Sequence, residues 1–161
     1  MIHFEAITNV IEELEFRIAN LPEKVLYGVT TGEINYDDNK SIADLYNKIE
    51  QDGRKQYMID HSDGKVLYYG ASEPIFGGEI SKTYQYYILG TEPGKDFIKF
   101  EVPKVTWACF KLKSTKQEDI LKLYNTIYTK WLPNSKYEQI LPYSELEIYY
   151  GNECEICIPV Q

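Results

Sequence analysis

A chain of 161 residues is close to the commonest length of one compact domain, and 43% apolar with 26% charged residues excludes a disordered tail. A formal net charge of -8 repels phosphate backbones and anionic lipid surfaces, which argues against direct DNA binding and against a membrane partner. No run approaches the ~18 apolar residues of a membrane span, no basic leader is visible, and three cysteines make no disulfide framework, so a soluble cytoplasmic protein is expected.

In chain order, Phe4, Ile7, Ile11, Leu14 and Ile18 recur at steps of three and four, which predicts an amphipathic helix ending before Pro22. It forms an N-terminal unit over 1–23, packed on a domain over 24–161. A second helix is predicted over 41–51, with Ile42, Leu45, Tyr46 and Ile49 on one face, Ser41 or Asn39 as cap, and Gly53 as stop. A third begins near Thr115, where Thr115-Lys116-Gln117-Glu118 has capping-box form. It carries Ile120, Leu121, Tyr124, Ile127, Tyr128 and Trp131 inward, and Pro133 closes it. Strands are predicted over 24–31, 65–69, 84–89, 97–102, 105–112, 145–150 and 154–160, from their β-branched and Tyr-rich alternation. Helices interrupting sets of strands define an α+β chain.

The chain also repeats itself. Leu45-Tyr46-Asn47-Lys48-Ile49 returns as Leu123-Tyr124-Asn125-Thr126-Ile127, and Lys24-Val25-Leu26-Tyr27-Gly28 has an echo in Lys104-Val105-Thr106-Trp107-Ala108. Each half is then a strand, a helix and a hairpin, and the halves 24–90 and 97–160 pair about a pseudo-two-fold axis. A groove at that axis would gather side chains from both halves around one concavity. Fifteen tyrosines supply rings for such a groove, each offering an apolar face and a hydroxyl tip.

Most catalytic and metal chemistries find no support. Cys154 and Cys157 have CxxC spacing, but in a strand they point to opposite faces, and His3 and His61 stand far apart, so no metal site is expected. Scarce histidine argues equally against haem and against a Ser-His-Asp site. No phosphate-binding glycine motif occurs, and Phe76-Gly77-Gly78-Glu79 reads as a turn or loop. No cofactor is called for. In Glu145-Leu146-Glu147-Ile148-Tyr149-Tyr150 the apolar residues alternate with Glu145, Glu147 and Tyr149. If the apolar face packs on helices, Glu147 projects from the opposite face beside Tyr149, and a carboxylate among rings suits an organic cation.

Several ordered segments carry a family resemblance: Gly28-Val29-Thr30-Thr31-Gly32, Tyr86-Tyr87-Ile88-Leu89-Gly90, Val102-Pro103, Thr106-Trp107-Ala108, Tyr128-Thr129-Lys130-Trp131-Leu132-Pro133, Ser135-Lys136-Tyr137-Glu138, Glu147-Ile148-Tyr149 and Glu155-Ile156-Cys157-Ile158-Pro159-Val160. From about Val25 to the C-terminus the chain resembles the GyrI-like effector-binding domain, also found in AraC-type regulators. The resemblance implies duplicated β-α-β-β (SHS2-like) units forming a curved antiparallel sheet, with helices on one side and a central ligand groove. It places the family's pocket glutamate, in a Glu-x-Tyr context, on Glu147. Trp107, Trp131, Tyr137 and Tyr149 are the aromatic ligand contacts it implies. The regulators' helix-turn-helix has no counterpart here, since 4–20 supplies one helix rather than a recognition pair.

The expected function is therefore capture of a lipophilic, cationic small molecule by a stand-alone binding domain, in multidrug sensing or sequestration. Two alternatives follow from the same resemblance. One is a hydrolase of reactive cyclopropane-bearing compounds, with Glu147 as base or water-orienting group. The other is an interaction module for a protein partner, such as a regulator or DNA gyrase.

Overall fold

The computed structural model describes residues 14–74, 83–141 and 143–161, and within them eight strands form one antiparallel sheet. They are β1 Phe16–Asn20, β2 Lys24–Asn35, β3 Tyr68–Pro74, β4 Thr83–Gly90, β5 Ile98–Val102, β6 Thr106–Leu112, β7 Glu145–Tyr149 and β8 Cys154–Val160. The helices are α1 Ser41–Gln51, α2 Arg54–Asp60 and α3 Gln117–Thr126, and α3 runs on through a π-helical turn, Ile127–Trp131, into Leu132–Asn134. The α+β class follows directly. No helix among the described residues is long and apolar enough to cross a membrane.

The strand order β1-β6-β8-β7-β3-β4-β2-β5 reads alike from both ends, with β7 and β3 paired at the centre. Each half contributes a strand, a helix and a hairpin in the same order, and the repeated Leu-Tyr-Asn segments lie on α1 and α3. The strand that precedes each strand–helix–hairpin unit pairs with the other unit: β1, ahead of β2, pairs with β6, and β5, ahead of β6, pairs with β2. This exchange fixes the curvature. β1 and β2 are six strands apart, about 29 Å in a flat sheet. Yet the link from Asn20 to Lys24 reaches at most about 14 Å, and the link from Val102 to Thr106 is as short. The sheet must curl until its two edges approach each other. The curl encloses Leu26, Leu89, Trp107, Cys109, Leu146 and Cys157 in one apolar cluster, contributed by strands of both halves.

The other face carries the helices. α3 covers Phe110, Ile156 and Ile158 with Ile120, Leu123, Ile127 and Trp131, while α1 and α2 cover Val29 and Ile88 with Ile49 and Met58. Local signals explain the helix ends. The N-cap position of α1 falls on Lys40 rather than on Ser41 or Asn39, and Asp38 just before it accepts hydrogen bonds from the Lys40 and Ser41 amides and the Ser41 hydroxyl, at 2.9, 2.8 and 2.7 Å. Gly53, at φ 85°, ends α1 and also starts α2, a helix that the sequence pattern did not announce. The capping box at Thr115 does not form; Ser114 instead binds Asp119 and accepts the Lys116 amide. Pro133 sits inside the final turn, which closes at Asn134.

The N-terminal helix needs correcting where it can be seen. Residues 1–13, with Phe4, Ile7 and Ile11, lie outside the described residues, but Phe16–Asn20 is a strand paired with β6 in a five-residue register. Apolar residues two apart at Phe16 and Ile18 fit a strand as well as a helix, and the free edge of β6 selects the strand. Arg17 then anchors it, donating to both oxygens of the buried Glu155 at 3.0 and 3.2 Å, while Tyr150 donates to the same carboxylate at 2.9 Å. Cys154 and Cys157 are free thiols on opposite faces of β8, in the helix-side cluster and the enclosed cluster respectively. Phe76-Gly77-Gly78-Glu79 also lies outside the described residues.

Candidate functional site

A cavity of about 1170 Å³ opens between α1 and α3, over the central strands β3, β4 and β7. Pockets that take drug-sized ligands run to roughly 1,000 Å³, so this one has room for a large guest. Nine of the 15 tyrosines line it, with the carboxylates of Asp37, Asp38, Glu145 and Glu147 and a single ammonium, that of Lys55, among the described lining residues.

Glu147 lies at the centre of its floor. Strand alternation turns Leu146 and Ile148 into the enclosed cluster and sends Glu145, Glu147 and Tyr149 toward the cavity. The acidic face is thus the helix side of the sheet, and the apolar face packs on other strands, the reverse of the side expected from sequence. Glu147 is buried, and three phenols converge on it. Tyr86 and Tyr149 donate to Oε1 at 2.6 and 2.7 Å, and Tyr124 donates to Oε2 at 2.8 Å. A fourth, Tyr46, stands 3.3 Å from the Tyr86 hydroxyl. Burial, and then the Glu147 charge, push the Tyr86, Tyr124 and Tyr149 phenols far above their ordinary value, so all three keep their protons and remain donors at neutral pH.

Ring faces complete the wall. Tyr68 stacks on Tyr149 with centroids 4.6 Å apart, and Tyr46 meets Tyr68 edge-on at 6.1 Å. The Lys55 ammonium sits over both the Tyr46 and Tyr68 rings, at 5.4 and 5.2 Å, while paired with Glu50 at 3.0 Å. The protein's own cation therefore already occupies an aromatic corner of the cavity. On the α3 side, Tyr128 donates to Glu145 and accepts from Gln139 at 3.1 Å. Burial pushes the Glu145 carboxyl up to about 7, the Tyr128 hydrogen bond opposes this, and the Glu147 charge adds to the rise.

Of the residues singled out from sequence, the structure brings Glu147 and Tyr149 together in the cavity and places the other three elsewhere. Trp107 alternates out of the helix face of β6 and lies in the enclosed cluster behind the sheet. Trp131 packs under α3 against Phe110 and Phe16, with centroids at 4.8 and 5.3 Å, and Tyr137 stacks on its outer side at 6.1 Å. Sequence reasoning passed over Tyr86, Tyr46, Tyr124 and Gly70 as site residues. A signal did exist for two of them, since Tyr46 and Tyr124 are the matching tyrosines of the internal repeat. Gly70 stands opposite Glu147 in the β3–β7 register, and a Cβ there would lie 2.2 Å from the Tyr86 hydroxyl. Its missing side chain is the space in which Tyr86 reaches Glu147.

A curled antiparallel sheet with a large tyrosine-walled cavity between its covering helices defines a small-molecule binding domain. The family model of the GyrI-like small molecule binding domain matches residues 14–161, and the chain belongs to that family. Solved structures repeat the fold at low identity. The integron cassette protein VCH_CASS2 from the mobile metagenome of Vibrio cholerae has TM-score 0.71 at 14% identity, over 92% of this chain and 97% of that one. SAV2435, solved bound to tetraphenylphosphonium, has TM-score 0.68 at 14% identity, over 91% and 94%. The C-terminal domain of EcmrR has TM-score 0.58 at 14% identity, over 92% and 98%. No curated protein matches the chain significantly.

Proposed function

We propose that the cavity captures lipophilic organic cations, in multidrug sensing or sequestration in the cytoplasm, with Glu147 as the counter-charge and tyrosine faces as walls. The observation that carries this reading is the Glu147 carboxylate, held by three phenol donors on the floor of a tyrosine-lined cavity. Phenols that donate to a carboxylate present it as an acceptor-only anion, and their ring faces attract a cation beside it. The tetraphenylphosphonium held by SAV2435 is a guest of this class, in a protein of the same fold.

Calorimetry of tetraphenylphosphonium against neutral triphenylphosphine oxide tests the reading. The wild type is expected to prefer the cation, and Glu147→Gln to lose about tenfold or more of cation affinity while still folding. Equal binding of cation and neutral analogue, or a preference that survives the substitution, overturns it. Lys55 works against an incoming cation through like charge and by occupying the Tyr46–Tyr68 corner. Lys55→Gln is accordingly expected to tighten tetraphenylphosphonium binding by roughly two- to tenfold in the same titration.

A further inference from the structure

The cation reading leaves one group of the cavity unexplained. Glu145 lies two residues before Glu147 on the same face of β7 and lines the same cavity, so the two carboxylates start from Cα atoms about 7 Å apart. Their partners pull them apart rather than together. Glu147 is held by Tyr86, Tyr149 and Tyr124, whereas Glu145 is turned toward the Tyr128 end of the cavity, where one phenol binds Oε2. No hydrogen bond reaches its Oε1 from the described residues, in contrast to the fully engaged Glu147. No described cation neutralises this half-buried carboxylate: the described ammonium of the cavity, Lys55, is already paired with Glu50 over the rings of Tyr46 and Tyr68. A guest carrying a second positive charge would satisfy it.

Building on the cation reading, we propose that the cavity is a two-carboxylate site for flat, elongated dications, with one charge facing Glu147 and the other Glu145. The parallel ring faces between the two acids suit an aromatic spacer. Tyr68 and Tyr149 stack beside Glu147 with an interplanar angle of 14°, and Tyr124 and Tyr128 lie within 4° of parallel between the two acids. The remaining groups facing Glu145 are Tyr36 from the end of β2, Tyr84 from β4, Gln139 behind Tyr128, and Glu147 itself, none of which carries positive charge.

The sign of the pH dependence follows from burial. Glu145 is raised from 4.5 to about 7 in the folded protein, so the empty site becomes less stable as pH rises through that window, where the folded state holds a proton that the unfolded chain releases. A second ligand charge beside Glu145 reverses this, binding the ionised form and expelling the proton. Preference for a dication over a monocation should therefore grow from pH 5.5 to pH 8, spanning the value of about 7, because only the dication places a charge directly against Glu145.

Methyl viologen and its near-isosteric monocation, the N-methyl-phenylpyridinium ion, differ in one charge and make the comparison direct. In calorimetry at pH 8 the wild type is expected to bind methyl viologen at least about tenfold more tightly than the monocation, a ratio that shrinks severalfold at pH 5.5. Glu145→Gln, which preserves shape and still accepts from Tyr128, should collapse the ratio toward unity at both pH values. The wild-type pH series stands as a second test should the variant fold poorly. A ratio near one in the wild type at pH 8, or a ratio that persists in Glu145→Gln, overturns the two-carboxylate site. The monocation and tetraphenylphosphonium arms separate the two readings. If they bind and methyl viologen gains nothing, only this inference fails; if no cation binds, the cation reading fails and takes this one with it.

Discussion

Trp107→Ala is expected to lower unfolding stability by about 3–5 kcal/mol, the range for deleting a buried Trp side chain, and to leave the tetraphenylphosphonium affinity of the folded protein unchanged within about twofold. For a domain of this size the loss corresponds to a Tm lower by roughly 6–20 °C. The indole is 1% exposed, within the cluster that the curled sheet encloses, on the face opposite the cavity. It shares that cluster with Leu26 and Leu89 from the other half of the chain, so its removal loosens the contact between the two halves. Its Nε1 has no hydrogen-bond partner among the described residues, a burial cost of about 1–3 kcal/mol that the ring contacts must outweigh. Trp107→Phe should for that reason be far milder than the alanine variant, because it deletes the orphaned donor together with part of the ring. Thermal melts with calorimetry below the transition check both. A large loss of cation affinity in folded Trp107→Phe would return the tryptophan to the binding site.

The same residue shows where the sequence is legible and where it is not. Apolar, β-branched and Tyr-rich runs located seven strands, β3 only by its first two residues, and helical spacing located the two long helices. The internal repeat even pointed to a central groove between paired halves. Periodicity does not say which of two buried faces a side chain joins, and this sheet is apolar on both. Trp107 and Phe110 are both wholly buried, yet one is enclosed by the curl and the other lies under α3. The same ambiguity put the Glu147 face on the wrong side of the sheet while assigning its strand parity correctly. Short segments were harder still. β1 carries only two large apolar residues, Phe16 and Ile18, both partly exposed, and its identity comes from the edge it covers and from Arg17 reaching Glu155 past β6. α2 has seven residues and leans on α1 and β4 rather than on a pattern of its own.

Site residues divide along similar lines. Glu147 and Tyr149 share a strand face two residues apart, so one implies the other. Tyr86 and Tyr87 are indistinguishable by composition, but register sends Tyr86 to Glu147 and Tyr87 to the enclosed side, where it donates to Glu73 at 2.9 Å. Aromatic identity was therefore a poorer guide than strand phase, and two tryptophans drew notice that belonged to tyrosines.

Gly70→Ala is expected to damage the site more than any single hydroxyl deletion, costing about 2–5 kcal/mol of stability and at least about tenfold in cation affinity. Gly70 pairs with Ile88 on one side and with Glu147 on the other, in extended backbone that any residue could adopt, so conformational freedom is not the reason for glycine here. Space is the reason. An added Cβ would fall 2.2 Å from the Tyr86 hydroxyl, 2.7 Å from Glu147 Oε1 and 3.0 Å from Tyr86 Cζ, and the first two atoms are the donor and acceptor of the 2.6 Å hydrogen bond. Neither can step aside freely, because Tyr46 stands 3.3 Å from the Tyr86 hydroxyl and Tyr149 holds the same carboxylate oxygen at 2.7 Å. The methyl must separate the pair, stranding a buried phenol and shifting the Glu147 carboxylate. A double-mutant cycle with Tyr86→Phe isolates this cause, since that variant removes the atom the methyl meets first. Gly70→Ala should cost at least about 1 kcal/mol less in the Tyr86→Phe background than in the wild type, read from denaturant melts of all four proteins. Strictly additive costs would mean that the methyl acts elsewhere and that Gly70 is not the space through which Tyr86 reaches Glu147.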